Sequence, residues 1–331
     1  MKRIDYTDDI FVAGAKGMVG NAICKELIKQ NYGNEELGGK LLAPSREDLD
    51  LSDSFATLKW FEKNKPSIVI LSAAKVGGIH VNNIEPASFL LNNLKIQNNV
   101  IEASFRFGVK RLLFLGSSCI YPKFANQPIN EDELLTGSLE ETNKWYAIAK
   151  IAGLKLCEAL RIQYNFDAIT LMPTNLYGPG DNYHYMNSHV LPALIRKFYE
   201  AKVNSEINVK CWGTGNALRE FLHVNDFARA CLFVLEHNNP ILKKKNSNIL
   251  NVGSGQEISI RDLAIKIAKF VEFKGDIIWD QSKPDGTPRK LLNSEGIYSL
   301  GWFPKIDLDE GIQSTLELFI DSYKKGEFRG K

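Results

Sequence analysis

No apolar run in this chain approaches the roughly 20 residues that a membrane-crossing helix requires. Charge of one sign is not in excess either: 41 lysines and arginines face 39 aspartates and glutamates, a formal net charge of +2. An anionic ligand must therefore be held by a local site, and neither nucleic acid nor a membrane is expected as a partner. The short basic run Lys243–Lys245 reads as a solvated loop. Cysteines are few, and Cys24, Cys119, Cys157, Cys211 and Cys231 are odd in number, with no metal-like or disulfide-like pairing. They read as reduced thiols of a cytoplasmic protein, and no metal is expected. The opening Met1–Tyr6 runs into acidic residues and a strand, which does not fit a signal peptide. No internal repeat is visible, so a solenoid is excluded.

What is present is an ordinary globular composition, 44% hydrophobic and 24% charged, in 331 residues. That length buries a substantial core and suits one α/β unit with a smaller lobe. Apolar runs at Ile10–Ala13, Lys40–Ala43, Ile68–Ala74, Arg111–Gly116 and Ala168–Met172 read as strands. Between them, Met18–Lys29, Phe89–Phe107 (stopped by Gly108) and Trp145–Tyr164 read as helices. Strands separated by helices predict a doubly wound parallel sheet of the Rossmann type. After about Pro173 the rhythm loosens, with helices expected at His189–Ala201, Asn225–Glu236 and Ile260–Val271 and a strand at Val209–Trp212. Residues 1–175 are therefore expected to form the cofactor domain, rejoined by segments around 220–255, and 176–331 mainly a smaller α/β substrate lobe.

Gly14, Gly17 and Gly20 punctuate the turn between the first strand and the first helix. Glycines there let the backbone approach a pyrophosphate, which the free N–H groups of the helix start then hold. An NAD-binding turn is usually followed, about 20 residues on, by a carboxylate for the ribose hydroxyls. Here the second strand ends in Ala43-Pro44-Ser45-Arg46. Arg46, with Lys16 from the turn, suits a 2′-phosphate, so NADPH/NADP is the expected cofactor.

Tyr146 and Lys150 stand four residues apart, on one helix face. A cation beside a phenol is expected to lower its pKa towards working pH. Ser117 lies about thirty residues upstream, after a strand that ends over the cofactor. In such a site Tyr146 protonates a developing alkoxide, Ser117 hydrogen-bonds the same oxygen and Lys150 holds the nicotinamide ribose. Together with the glycine turn, this set resembles the extended short-chain dehydrogenase/reductase family.

Longer segments sharpen the resemblance. Ala74-Lys75-Val76-Gly77-Gly78-Ile79, Gly116-Ser117-Ser118-Cys119-Ile120-Tyr121-Pro122, Trp145–Gly153 and Met172-Pro173-Thr174-Asn175-Leu176-Tyr177-Gly178-Pro179 are similar to those of the GDP-L-fucose synthases. So are Asn187-Ser188-His189-Val190, Arg219–Val224 and Lys283-Pro284-Asp285-Gly286-Thr287-Pro288-Arg289-Lys290. The resemblance implies a GDP-4-keto-6-deoxy-D-mannose substrate, epimerised at C3 and C5 and then reduced at C4. It further implies Cys119 as the base and His189 as the acid of epimerisation, with His189 and Asn175 also near the cofactor. Trp212, Arg219 and Asp285 are implied at the GDP-sugar. Where the family pattern has arginine this chain has Lys197, beside Arg196, which keeps the charge and loses the bidentate fork. A homodimer built on Phe89–Phe107 and Trp145–Tyr164 is implied as well.

Three other readings stand beside this one. The first is a C4-only reductase of a related GDP-4-keto sugar such as a 6-deoxy-heptose, against which the presence of both Cys119 and His189 counts. A 4,6-dehydratase would carry an acid pair where Ser118-Cys119 stand, and a non-catalytic NADP sensor would typically lose Tyr146 or Lys150.

Overall fold

The computed structural model describes residues 2–239, 248–283 and 285–331. The basic run Lys243–Lys245 and Pro284 of the quoted Lys283–Lys290 segment lie outside the described residues. The first lobe contains, in chain order, β1 (Ile10–Ala13), α1 (Met18–Lys29), β2 (Leu41–Leu42), α2 (Ser54–Asn64), β3 (Ile68–Leu71), α3 (Ile79–Ile84), α4 (Pro86–Arg106), β4 (Arg111–Leu115), α5 (Lys144–Tyr164) and β5 (Ala168–Pro173). Then follow β6 (Asn175–Tyr177), α6 (Val190–Val203), β7 (Asn208–Trp212), β8 (Leu218–His223), α7 (Val224–His237) and β9 (Ile249–Val252). The chain closes with β10 (Glu257–Ser259), α8 (Ile260–Val271), β11 (Asp276–Asp280), β12 (Arg289–Lys290), α9 (Glu295–Tyr298) and α10 (Leu308–Lys325).

Six strands form one parallel sheet in the order β2-β1-β3-β4-β5-β9. Every residue of β1, β3, β4, β5 and β9 is buried, as expected for strands covered on both faces. One apolar layer sets α1 and α7 against the sheet, and the other sets α2, α4 and α5 against it. Strand order reverses between β1 and β3, so the crevice at their carboxyl ends is where a doubly wound sheet takes its ligand.

Several boundaries differ from those the sequence predicts. The second strand is only Leu41–Leu42, and α4 begins three residues early because Pro86 suits a first helical turn. His189 lies outside α6 as its N-cap, with extended backbone.

The second lobe is built around β8, which pairs antiparallel with β10 and parallel with β6 and β12, while β7 and β11 form a separate parallel pair. Its own core packs α6, α8 and α10. Glu220 of β8 is fully buried beneath the junction of the lobes. Its carboxylate accepts from the Gly255 N–H at 2.7 Å and the Leu292 N–H at 3.1 Å. Its backbone carbonyl accepts from Asn175 Nδ2 at 2.7 Å and Thr174 Oγ1 at 3.1 Å. One residue thus ties together the segments that carry both walls of the site.

His223 ends β8 and caps α7: its Nδ1 accepts from the Asn225 N–H at 3.2 Å, and its Nε2 is buried without a partner. Burial, aided by Arg229, pulls its pKa from 6.5 down to about 4. The folded chain therefore binds fewer protons at this group than the unfolded chain between those values. The stabilisation is complete above about pH 6.5 and is lost as pH falls towards 4, by about 2–3 kcal/mol. His223→Asn keeps an acceptor for the cap. Denaturant titrations of both proteins at pH 7 and pH 4 are expected to show that much less acid destabilisation in the variant.

Candidate active site

A cleft of about 340 Å³ opens between the two lobes. Ser117, Cys119 and Tyr146 line it from the first lobe, and Asn175, His189, Lys197, Trp212, Arg219, Asp285 and Lys290 line the rest. Residues more than 150 positions apart are brought together here.

Ser117 follows the end of β4 and caps the short 3₁₀ turn Ser118–Ile120, accepting from the Cys119 N–H at 3.3 Å. The same hydroxyl lies 3.0 Å from Cys119 Sγ. Tyr146 stands in the first turn of α5 and packs against Val81, Phe89, Ala74 and Cys119. One turn later Lys150 is 3% exposed and donates to the Leu115 carbonyl at 2.8 Å. Its ammonium lies 5.9 Å from the Tyr146 ring centroid, beside the face of the ring.

This corrects the expected electrostatics. Burial drives the Tyr146 phenol well above its ordinary value, reinforced by Cys119 and opposed by Ser117. Lys150 is itself pulled down to about 8 by burial. Desolvation of a nearly closed site outweighs a cation whose hydrogen bond goes to a backbone carbonyl. The phenol is thereby kept protonated, the form a proton donor needs.

His189 reaches the cleft from the opposite lobe. It is accessible within the cleft yet deep inside the molecule, and desolvation lowers its pKa, with Lys290 adding to the effect. Lys290 is a site residue that pattern reading did not single out. Its signal was a cation in β12, the strand that pairs with Leu218-Arg219 of β8.

Lys197 and Lys283 place their ammonium groups 5.6 and 5.7 Å from the Trp212 ring centroid. The half-exposed indole is thus flanked by two cations. Arg196 does not supply the fork that Lys197 lacks. It turns away, donating to Glu200 at 2.9 Å and to the carbonyls of Tyr183 and Gly330 at 2.8 and 2.9 Å. Arg219 donates to the carbonyls of Leu218 and Asp285 at 2.8 and 3.2 Å. The Asp285 carboxylate, expected at the GDP-sugar, is committed to Thr214, accepting from its N–H and its hydroxyl at 2.8 Å each. It lines the cleft while stapling the 213–216 turn and, through its carbonyl, holding Arg219.

The glycine turn lies in the crevice between β1 and β3. Gly14 has φ +86°, and a Cβ there would sit 2.8 Å from the Ala73 backbone. A Cβ on Gly20 would lie 2.2 Å from the Gly14 carbonyl oxygen. At Gly17 the nearest protein atom would be 3.4 Å away, so nothing in the chain itself demands glycine there. Gly17 is also the N-cap of α1, with no side chain capping the helix. Space over Gly17 and uncapped N–H groups fit a dinucleotide pyrophosphate. Lys16 and Arg46 are both exposed and lie outside the cleft. The Asp48 carboxyl is held down mainly by the Ser45 hydroxyl and N–H, and in part by Lys16, so the turn and the end of β2 approach each other.

A glycine turn on an open helix end, on the same parallel sheet whose β4 leads into Ser117 and beside the helix that carries Tyr146 and Lys150, defines a nicotinamide-dependent short-chain reductase. Residues 10–253 match the model of the NAD dependent epimerase/dehydratase family. GDP-L-fucose synthase 1 of Arabidopsis thaliana is 54% identical over 316 residues, 96% of this chain and 94% of the relative. Among solved structures, a GDP-6-OMe-4-keto-L-xylo-heptose reductase from C. jejuni superposes with a TM-score of 0.88 at 34% identity, covering 98% of this chain and 99% of that one. A GDP-L-fucose synthetase from Naegleria fowleri bound to NADP gives a TM-score of 0.85 at 28% identity, covering 99% and 98%. The chain belongs to the NAD dependent epimerase/dehydratase family and, within it, to the GDP-L-fucose synthases. Among the described residues no helix is long and apolar enough to cross a membrane, and no cluster of His, Cys, Asp or Glu could hold a metal ion.

Proposed function

We propose that this chain converts GDP-4-keto-6-deoxy-D-mannose to GDP-L-fucose by epimerisation at C3 and C5 and reduction at C4, with NADPH. The observation that carries the reading is the convergence of Cys119 and His189 from opposite lobes on one cleft that also holds Ser117 and Tyr146. A C4 ketone acidifies the C–H bonds at C3 and C5, because the carbanion delocalises onto the ketone oxygen. Cys119, as thiolate, takes the proton from one face, and His189 returns one to the other. Ser117 and Tyr146 hydrogen-bond the enolate oxygen while it carries charge. The bound NADPH supplies the hydride for C4. Tyr146 then gives its proton to the C4 oxygen, and Lys150, buried beneath, holds the nicotinamide ribose. At the far end Lys197, Arg219 and Lys290 face the diphosphate, and the Trp212 ring offers a stacking surface for the guanine.

Incubating the protein with GDP-4-keto-6-deoxy-D-mannose and NADPH is expected to oxidise the cofactor and yield GDP-L-fucose. A product still in the D-manno configuration would favour the C4-only reductase, the reading to which the heptose reductase likeness lends weight. Arg46 and Lys16 are assigned to the 2′-phosphate. Arg46→Glu is expected to raise the NADPH KM by about tenfold or more, while leaving that for NADH nearly unchanged. We further propose a cytoplasmic location and a homodimer formed through α4 and α5. Leu91, Ile148 and Ile162 stand exposed on these two helices.

A further inference from the structure

The wall beside His189 is made where two segments meet backbone to backbone. The Gly78 N–H donates to the Asn187 carbonyl at 3.0 Å, and a Cβ at Gly78 would lie 2.7 Å from the Ser188 carbonyl oxygen. On one side of this contact Asn82, in α3, is 4% exposed. Its NH₂ donates to the Gly77 and Gly78 carbonyls at 2.8 and 3.0 Å. That double donation fixes the amide and leaves Oδ1 as an acceptor. On the other side Ser188 donates its N–H to the His184 carbonyl at 3.1 Å. Asn82 Oδ1 and Ser188 Oγ are both buried without a hydrogen-bond partner, and both residues line the cleft.

Such atoms carry a desolvation cost that a partner would relieve. The two are complementary, since a hydroxyl can donate and the fixed amide oxygen can only accept. Asn82 is held in a helix, whereas residues 184–188 form no helix or strand and expose Tyr185 and Met186 at the cleft mouth. The side without regular structure is therefore the one that leads directly into His189.

We propose that Asn82 and Ser188 are a positioning pair. When the sugar fills the cleft, the Ser188 hydroxyl turns to donate to Asn82 Oδ1 across the contact already made by Gly78 and Asn187, and His189 is fixed against the substrate. This rests on the assignment of His189 as the acid of epimerisation. Neither residue of the pair touches the reacting atoms; both act through His189.

The test follows inversion at C3 and C5 of GDP-4-keto-6-deoxy-D-mannose with NADP in place of NADPH, so that reduction does not intervene. Ser188→Ala is expected to slow inversion about tenfold, the scale of one neutral hydrogen bond. The loss should fall on kcat rather than KM, with Tm and NADP affinity unchanged. Ser188→Thr, which keeps a hydroxyl, should restore the rate. Asn82→Ala should slow the same step, and the double variant no further than the worse single variant. Wild-type inversion in Ser188→Ala, with His189→Gln inactive, would overturn the pair and leave the function intact. Wild-type inversion in His189→Gln would instead overturn the assignment of His189, and the pair with it.

Discussion

Cys119→Ser is expected to slow deuterium entry at C3 and C5 of the 4-keto sugar by roughly 10²–10⁴-fold, the range that a positioned base contributes. Serine keeps the shape and the hydrogen bond to Ser117, but its hydroxyl does not ionise near neutral pH, so only the basicity is removed. Cys119 is partly exposed in the cleft, unlike Cys157 and Cys231, which are buried among apolar side chains. For Cys157 and Cys231 burial also pushes the thiol pKa far up, as it does more moderately for Cys211. The same replacement at Cys157 or Cys231 is therefore not expected to affect exchange specifically. His189→Gln should behave differently: the thiolate remains, so exchange on its own face continues while inversion is lost. NADPH affinity, measured by fluorescence titration, should be unaffected by Cys119→Ser.

Tyr146→Phe is expected to lower the rate of C4 reduction by roughly 10²–10⁴-fold with little change in NADPH affinity. The structure makes the phenol a donor held in its protonated form. Its ring is packed on Val81 and Phe89, and burial rather than the lysine sets its titration. Phenylalanine preserves the packing and deletes the proton. Single-turnover cofactor oxidation in the presence of saturating substrate reads the step directly. Reduction at the wild-type rate in Tyr146→Phe would mean that another group, Ser117 being nearest in role, delivers the proton.

Much of this was legible in the residues. The buried runs Ile68–Leu71 and Leu112–Leu115 are continuous and apolar, and the glycine turn before Met18–Lys29 announces the cofactor end of the sheet. Local chemistry of that kind survives into the fold, because a parallel strand is buried on both faces and leaves no ambiguity of pattern. What pattern reading misjudged depended on the neighbours of a side chain. Tyr-x-x-x-Lys spacing places phenol and ammonium on one helix face, yet Lys150 finds the Leu115 carbonyl. Asp285 lines the cleft, and what its segment did not reveal is that Thr214, 71 residues earlier, also donates to its carboxylate. Lys290 becomes a site residue only because β12 lies alongside β8. Arg111 reads as a polar residue at the start of a strand. It is instead fully buried, donating to Asp167 at 2.8 Å and closing the carboxyl end of α7 through the Leu235 and Asn238 carbonyls at 2.8 and 3.0 Å. Such pairings join residues far apart in the chain, and no local periodicity encodes them.

The central claim is that one cleft both inverts and reduces. It is tested most directly by running the wild-type reaction with GDP-4-keto-6-deoxy-D-mannose and NADPH in heavy water and analysing the sugar by NMR. Deuterium at both C3 and C5 of GDP-L-fucose is the predicted result. A C4-reduced sugar carrying hydrogen at both carbons would contradict it, and would leave Cys119 and His189 without the roles proposed for them.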